Sequence, residues 1–249
     1  MIILTKLTIS IKNFREIIDL LNTVVSEAKL KLDSKGLNVK AVDSAHVAMI
    51  DMQLNREAFI EYDVDQEDEL AVDVDKLKGI IKLASSNENI VIVKEHERLK
   101  FKIGSISKSI PLLDNSSVTT PKVPSIHSES YVVIRKVELE RGLKAAEDVS
   151  DAIKLIMKPD EFRARSASES EDSELVLQKS ELGELNCNSE VKSSYPLDYL
   201  LRIVKSLGNS EELKLSFKDD YPLSIEFKNS KDSAEGIFGF FLLAPRMEH

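Results

Sequence analysis

The amino-acid sequence predicts an α+β fold: two similar domains of antiparallel sheet, each with helices on one face. Three observations carry that prediction. The chain repeats its own pattern at an interval of about 124 residues. Each repeat alternates a helical apolar stripe with several short strands separated by polar turns, the signature of antiparallel sheet rather than crossover units. A stretch rich in Ser, Thr and Pro, "PLLDNSSVTTPKVPSIHSES", separates the two repeats and favours an extended connector.

The first repeat opens with "FREIIDLLNTVVSEAKLKL". Phe14, Ile17, Ile18, Leu21 and Val24 fall at helical spacing, and Ala28, Leu30 and Leu32 then alternate as in a strand. A polar turn, "DSKG", follows, and later a second helix in "VDVDKLKGIIKLA" and an alternating stretch in "NIVIVKEHERLKFKI". The second repeat opens with "LERGLKAAEDVSDAIKLIM", where Leu139, Leu143, Ala146 and Val149 give the helical stripe and Ile153, Leu155 and Met157 the strand. Its second helix, "YPLDYLLRIVKSL", aligns Asp198 with Asp75, Leu200 with Leu77, Ile203 and Val204 with Ile80 and Ile81, and Lys205 with Lys82. The alternating "ELKLSFKDDYPLSIEF" completes the correspondence. The resulting division is a first domain over residues 1–112, a connector over 113–127 and a second domain over 128–249. The chain closes with "GIFGFFLLAPRMEH", an apolar run where ends are usually polar and frayed. A sheet, a partner or both must hold it. Core packing is expected for Phe238, Phe240 and Phe241.

At 249 residues, with 42% hydrophobic and 31% charged residues, the chain has ample core material. No apolar stretch approaches the ~18 residues of a membrane span, and "MIILTKLTIS" lacks the features of a secretory signal. The single cysteine, Cys187, excludes an internal disulfide framework and fits a reducing compartment. Chemistry is hard to place. The eight glycines form neither G-x-G-x-x-G nor a P-loop, and His46, His96, His127 and His249 lie far apart, in no metal-ligand spacing. The carboxylate runs "DVDQEDE" and "SESEDSE" read as solvated loops. With no nucleophile–base set, the expectation is a protein that is not an enzyme and holds no cofactor or metal.

The basic residues are better ordered. Lys12 with Arg15, Lys78 with Lys82, Arg141 with Lys144 and Arg202 with Lys205 sit three or four residues apart on the four predicted helices. That spacing puts each pair on one face, away from the apolar stripe. One such face is what any amphipathic helix shows. Four of them, on a chain of net charge −9, point to a shared anion-facing surface. No aromatics interleave with them, so the implied contact is phosphate rather than bases.

These segments resemble the sliding clamps of the proliferating cell nuclear antigen family, archaeal ones in particular. "LNVKAVDSAHVAMIDMQL" is similar to the family's Asp-Ser-Ser-His-Val segment, with Ala45 where serine is frequent. "SSYPLDYLLRIVKSLG" is similar to its final helix, "YPLSIEF" to the strand after it, and "LLAPRMEH" to its Leu-Ala-Pro-Lys/Arg ending. The resemblance implies a DNA clamp fold closing as a trimeric ring around duplex DNA, the four helices lining the hole and the sheets outside. It implies a processivity factor for DNA replication and repair that tethers DNA polymerase, clamp loader and other DNA-processing proteins, and does no chemistry itself. On that likeness Lys12, Arg15, Lys78, Lys82, Arg141, Lys144, Arg202 and Lys205 face DNA. Client peptides with aromatic anchors are received by Val42, His46, Val47, Met49, Val123, Pro124, Ile126, Pro222, Leu243, Ala244 and Pro245. Neighbouring subunits meet through Ser105, Ile106 and Ile110 on one side and Leu175, Val176 and Leu177 on the other. The resemblance places the protein in the cytoplasm with the nucleoid, or in the nucleus if eukaryotic, and away from membranes. Two further readings fit the same residues: a clamp subunit that assembles only with paralogues, and an interaction module whose basic helix faces are merely solvated.

Overall fold

The computed structural model describes residues 5–229 and 236–246; His249 lies outside them. The chain forms two compact units. The first holds described residues within 5–44, 50–123 and 236–239, and the second those within 45–49, 124–229 and 240–246. The units are therefore not contiguous in sequence. Residues 45–49 and 236–239 fall across the division read from the sequence, and the connector divides after Val123.

The first unit begins with β1 (Thr5–Ser10) and α1 (Ile11–Asn22), then β2 (Glu27–Asp33), β3 (Gly36–Val42) and, from Ile50 onward, β4 (Ala48–Asn55). After these come β5 (Glu61–Val64), β6 (Asp68–Asp73), α2 (Val74–Ile81), β7 (Asn89–Glu95), β8 (Arg98–Ile103) and β9 (Ile106–Pro111). One antiparallel sheet runs β5-β1-β7-β8-β9; in the other, β2 lies between β3 and β6. Phe14 on α1 meets Phe101 on β8 with ring centroids 6.3 Å apart, which seats the helix on the first sheet. Ala28, Leu30 and Leu32 are buried at alternate positions of β2, as their spacing predicts.

The second unit repeats the plan with β10 (Tyr131–Arg135), α3 (Lys136–Ala145), β11 (Ala152–Met157), β12 (Glu161–Ala167) and β13 (Asp172–Gln178). It continues with β14 (Glu184–Asn186), β15 (Val191–Pro196), α4 (Leu197–Ser206), β16 (Glu212–Ser216) and β17 (Leu223–Lys228), and includes β18 (Ile237–Leu243) from Phe240 onward. One sheet runs β13-β12-β11-β15, and β10 lies between β14 and β16 in the other. Ile153, Leu155 and Met157 are fully buried along β11.

The repeat is legible down to single hydrogen bonds. The first N–H of each helix has no partner within its own helix, and in all four a distant loop carbonyl accepts it. Ile11 N–H donates to Glu88 O and Lys136 N–H to Glu211 O, each at 2.9 Å. Val74 N–H donates to Ser26 O and Leu197 N–H to Asp151 O, again at 2.9 Å. Among these four helices, side-chain caps occur only in the first unit, where Ser10 and Asp73 accept from Asn13 N–H and Lys76 N–H.

Two helices end earlier than the apolar stripe suggests. α1 stops at Asn22 because its last turn tightens: Thr23 N–H reaches Leu20 O and Val24 N–H reaches Leu21 O, three residues back. α3 ends at Ala145 in the same way, with Ala146 N–H on Leu143 O and Val149 N–H on Ala146 O. Val24 and Val149 therefore lie in closing turns, not on helices. At the chain end Phe241 and Leu243 are fully buried, whereas Phe238 and Phe240 are half-buried rather than core. Gly239 sits where a Cβ would lie 2.2 Å from Asp51 O, so only glycine permits the approach of β18 to residues 51–52.

Candidate functional site

Three surfaces receive the residues singled out in the sequence. The first is the outward face of the helices. On α1, Phe14, Ile17, Ile18, Leu20 and Leu21 are buried while Lys12 and Arg15 are exposed. On α2, Leu77, Ile80 and Ile81 are buried, Lys78 is half-buried and Lys82, the capping residue, is exposed. In the second unit Arg141, Lys144, Arg202 and Lys205 are all exposed.

The two helix pairs differ in how these charges are held. Among the described residues Lys12, Arg15, Lys78, Lys82 and Lys205 form no ion pair. Arg141 lies 3.4 Å from Glu138, Lys144 2.7 Å from Glu140, and Arg202 3.8 Å from Asp198. Arg202 also stacks over the Tyr199 ring at 4.6 Å. Lys144, then Lys136, hold the Glu140 carboxyl below the usual glutamate range. Exposed pairs of this kind contribute only ~0–1 kcal/mol each, so a phosphate can replace the acid at little cost. The second unit's cations are nonetheless partly neutralised in place.

The second surface is a pair of sheet edges. β9 and β13 each have one neighbour strand, β8 and β12, which leaves their far sides unpaired within the chain. Ser105 in the turn before β9 and Ile106 on it are exposed, the latter at 44%, while Ile110 is buried at 5%. On β13, Val176 is exposed, Leu175 half-buried and Leu177 buried at 6%. Strand alternation explains the split: opposite Leu99 and Phe162, Ile110 and Leu177 turn into the cores of their own units. Both side chains are buried within their own units. Leu175 also faces inward, onto α3, where a Cβ at Gly142 would lie 2.8 Å from its own Cβ.

The third surface surrounds the chain end. Ala244 N–H donates to Val47 O at 2.8 Å, joining the 45–49 loop to the tail within the second unit. Arg246 N–H donates to Ser194 O at 2.7 Å, and its guanidinium meets Asp151 at 2.7 Å, holding that carboxyl below the usual aspartate range. Asp151 is the residue whose carbonyl accepts the first N–H of α4. His46 is exposed and adopts a left-handed backbone at φ 57°, uncommon outside glycine. Val47, Ala244 and Pro245 are half-buried, whereas Met49 and Leu243 are buried at 6% and 0%. Half-buried Pro222 and Ile126 and exposed Pro124 belong to the same unit; Val42 and Val123 belong to the other. The loop before Pro222 is fixed by the Tyr195 hydroxyl, which donates to Tyr221 O at 2.7 Å, and by Lys218 over the Tyr221 ring at 3.9 Å. Sequence reasoning missed the Arg246–Asp151 clip, because nothing in local spacing joins residues so far apart.

Among the described residues no group of three or more side chains is arranged to hold a metal, and no helix is long and apolar enough to cross a membrane.

A family model described as proliferating cell nuclear antigen, N-terminal domain, matches residues 7–117. A protein of Thermoplasma acidophilum named DNA polymerase sliding clamp is 53% identical over 98% of this chain and 99% of its own length. One of the same name from Picrophilus torridus is 56% identical, covering 98% and 100%. Among solved structures, the A. fulgidus proliferating cell nuclear antigen with the C-terminal region of FEN-1 bound superposes with a TM-score of 0.90. It is 26% identical, covering 98% of this chain and 99% of its own. The Thermococcus kodakaraensis protein gives 0.87 at 26% identity, covering 97% and 100%.

Proposed function

The chain belongs to the DNA polymerase sliding clamp family, that of proliferating cell nuclear antigen, and on that premise we propose that it closes as a ring of three copies around duplex DNA. The eight basic side chains named above meet phosphates, and the chain-end surface takes client peptides. The observation that carries the DNA reading is that each helix buries an apolar face and carries a basic pair away from it. Contacts with phosphate alone carry no sequence information, so the ring grips every sequence alike and slides. Function is then topological. The ring stays linked to the duplex and raises the local concentration of whatever it tethers.

The solved relative with a FEN-1 C-terminal region bound supports the peptide half of the proposal. In this chain Val47, Ala244 and Pro245 supply half-buried apolar surface, Met49 and Leu243 are buried, and the clip at Arg246 fixes the tail. The two unpaired edges β9 and β13 supply the unlike surfaces that a head-to-tail ring needs.

Reversal of one unpaired cation per unit, Lys82→Glu with Lys205→Glu, tests the DNA reading. The ring should still form, while DNA retention and polymerase processivity fall and sequence preference stays absent. Unchanged retention with an intact ring would show the basic faces to be merely solvated.

A further inference from the structure

We propose that the core of the first unit holds a dry cavity that takes one small apolar guest, of the kind xenon represents. The proposal goes beyond the clamp reading and is independent of it.

The cavity measures about 30 Å³ and lies where the two sheets of the first unit meet α1 and α2. Strands β1, β7 and β8 line it from one sheet and β2, β3 and β6 from the other. Phe14 and Ile17 of α1, Leu77 of α2 and Phe59, in the loop between β4 and β5, complete the wall. All of the lining side chains are apolar and buried. A water needs only ~10–15 Å³, but a buried water also needs about 2–4 polar partners. This lining supplies none, so water is excluded. The wall atoms lack dispersion contacts on their inner side, and an apolar guest restores them.

The internal repeat supplies a filled version of the same core. Leu32 lies opposite Leu37 as Met157 lies opposite Phe162, and Leu7 lies opposite Ile92 as Val132 lies opposite Leu215. Leu30, Leu37 and Ile92 keep 8%, 6% and 8% of their surface accessible although they line the core. Their counterparts Leu155, Phe162 and Leu215 are all at 0%. The first unit thus has leucine at the place where the second has a larger phenylalanine ring. At Gly142, the counterpart of Ile17, the second unit fills the space with Leu175.

A void persists where its wall cannot collapse inward. The turn before Leu37 is pinned from outside. The Tyr62 hydroxyl is shared between Asp33 O and Gly36 O at 2.8 Å each, and Arg56 N–H donates to Lys35 O at 2.8 Å. Phe59 is fixed in turn by its edge contact with the Tyr62 ring, with centroids 5.0 Å apart.

The test is a xenon titration of the full-length chain followed by methyl NMR. The methyl resonances of Leu30, Leu37 and Ile92 should shift saturably, and those of Leu155 and Leu215 should not. Leu37→Phe copies the second unit and should abolish the saturable shift at Leu30 and Ile92 without lowering the melting temperature. Leu32→Met/Leu37→Phe copies both members of the facing pair and should do the same, with a better seat for the added ring. If neither variant folds, the wild-type titration decides alone. No saturable shift in the wild type, equal shifts in both units, or a folded Leu37→Phe that still binds xenon at these methyls would overturn the proposal. A water seen in the cavity by crystallography of the wild-type protein would overturn it as well.

Discussion

Two helical glycines make a paired test of how α3 supports the β13 edge. Replacing a helix-interior glycine by alanine normally stabilises by about 1 kcal/mol, because the backbone loses freedom in the unfolded chain. Gly79 on α2 has open space where a Cβ would go, so Gly79→Ala should deliver that gain. Gly142 on α3 is different. Its added Cβ would lie 2.7 Å from Leu175 Cδ2, 2.8 Å from Leu175 Cβ and 3.2 Å from Leu175 Cγ. A rotamer change can move the δ-carbon but not the β-carbon, so β13 itself must shift by roughly half an ångström or more to reach ordinary van der Waals separation. Overpacking of that kind costs about 1–3 kcal/mol, which exceeds the helix gain at its midpoint by about 1 kcal/mol. Calorimetry at fixed protein concentration should show Gly79→Ala raising the melting temperature by ~2–4 °C and Gly142→Ala lowering it by a similar amount. Because Leu175 belongs to the edge proposed to meet the next subunit, Gly142→Ala should also weaken the trimer, and Gly79→Ala should not. A stabilised Gly142→Ala with an unchanged trimer would refute the argument that α3 positions this edge.

Other consequences follow from the same geometry. Lys12→Ala with Arg15→Ala should reduce the slope of log affinity for DNA against log salt by up to about 0.9 for each phosphate no longer neutralised. Arg141→Ala with Lys144→Ala, already ion-paired, should reduce it less; filter binding across a salt series checks both. Removal of residues 244–249 should abolish binding of an aromatic-anchored peptide, and Arg246→Ala should weaken it several-fold by freeing the tail, with the ring intact in calorimetric titrations. Met49→Ala should also sharply weaken or abolish peptide binding, but it carries a packing cost of about 2–5 kcal/mol because the side chain is buried, so its melting temperature must be measured alongside. Arg163, then Lys158, draw the Glu161 carboxyl from the ordinary 4.5 down to about 2. A carboxylate depressed on folding stabilises above its unfolded value, and that contribution is lost as pH falls through the folded one. Stability should therefore decline between about pH 5 and pH 2, and Glu161→Gln should flatten the decline in pH-dependent denaturant titrations.

Periodicity exposed most of the elements because each has one buried face. The spacing of Phe14, Ile17, Ile18 and Leu21 and the alternation of Ile153, Leu155 and Met157 are direct images of a core on one side. The basic pairs were legible for the complementary reason, lying opposite those stripes. Sequence reading failed where tertiary pairing decides. β4 is buried at nearly every position, so it shows no alternation to read. Residues 45–49 belong to the second unit, where Ala244 N–H donates to Val47 O, a pairing with no local signature. Which residues of the edge strands face outward is set by strand pairing: Ile110 and Leu177 are buried within their own units while Ile106 and Val176 are exposed. The acids beside Arg141 and Lys144 stand three and four residues away and were available to inspection. Only the side-chain geometry shows that they are engaged.

The central claim is that this protein holds DNA by encircling it. It is tested most directly by loading the ring onto closed circular duplex with its clamp loader, isolating the complex in high salt, and cutting the circle once. The account predicts that the protein stays on the circle and is lost on linearisation, because nothing but topology retains it when phosphate contacts are screened. Equal retention before and after the cut would show an ordinary binding site and contradict the account.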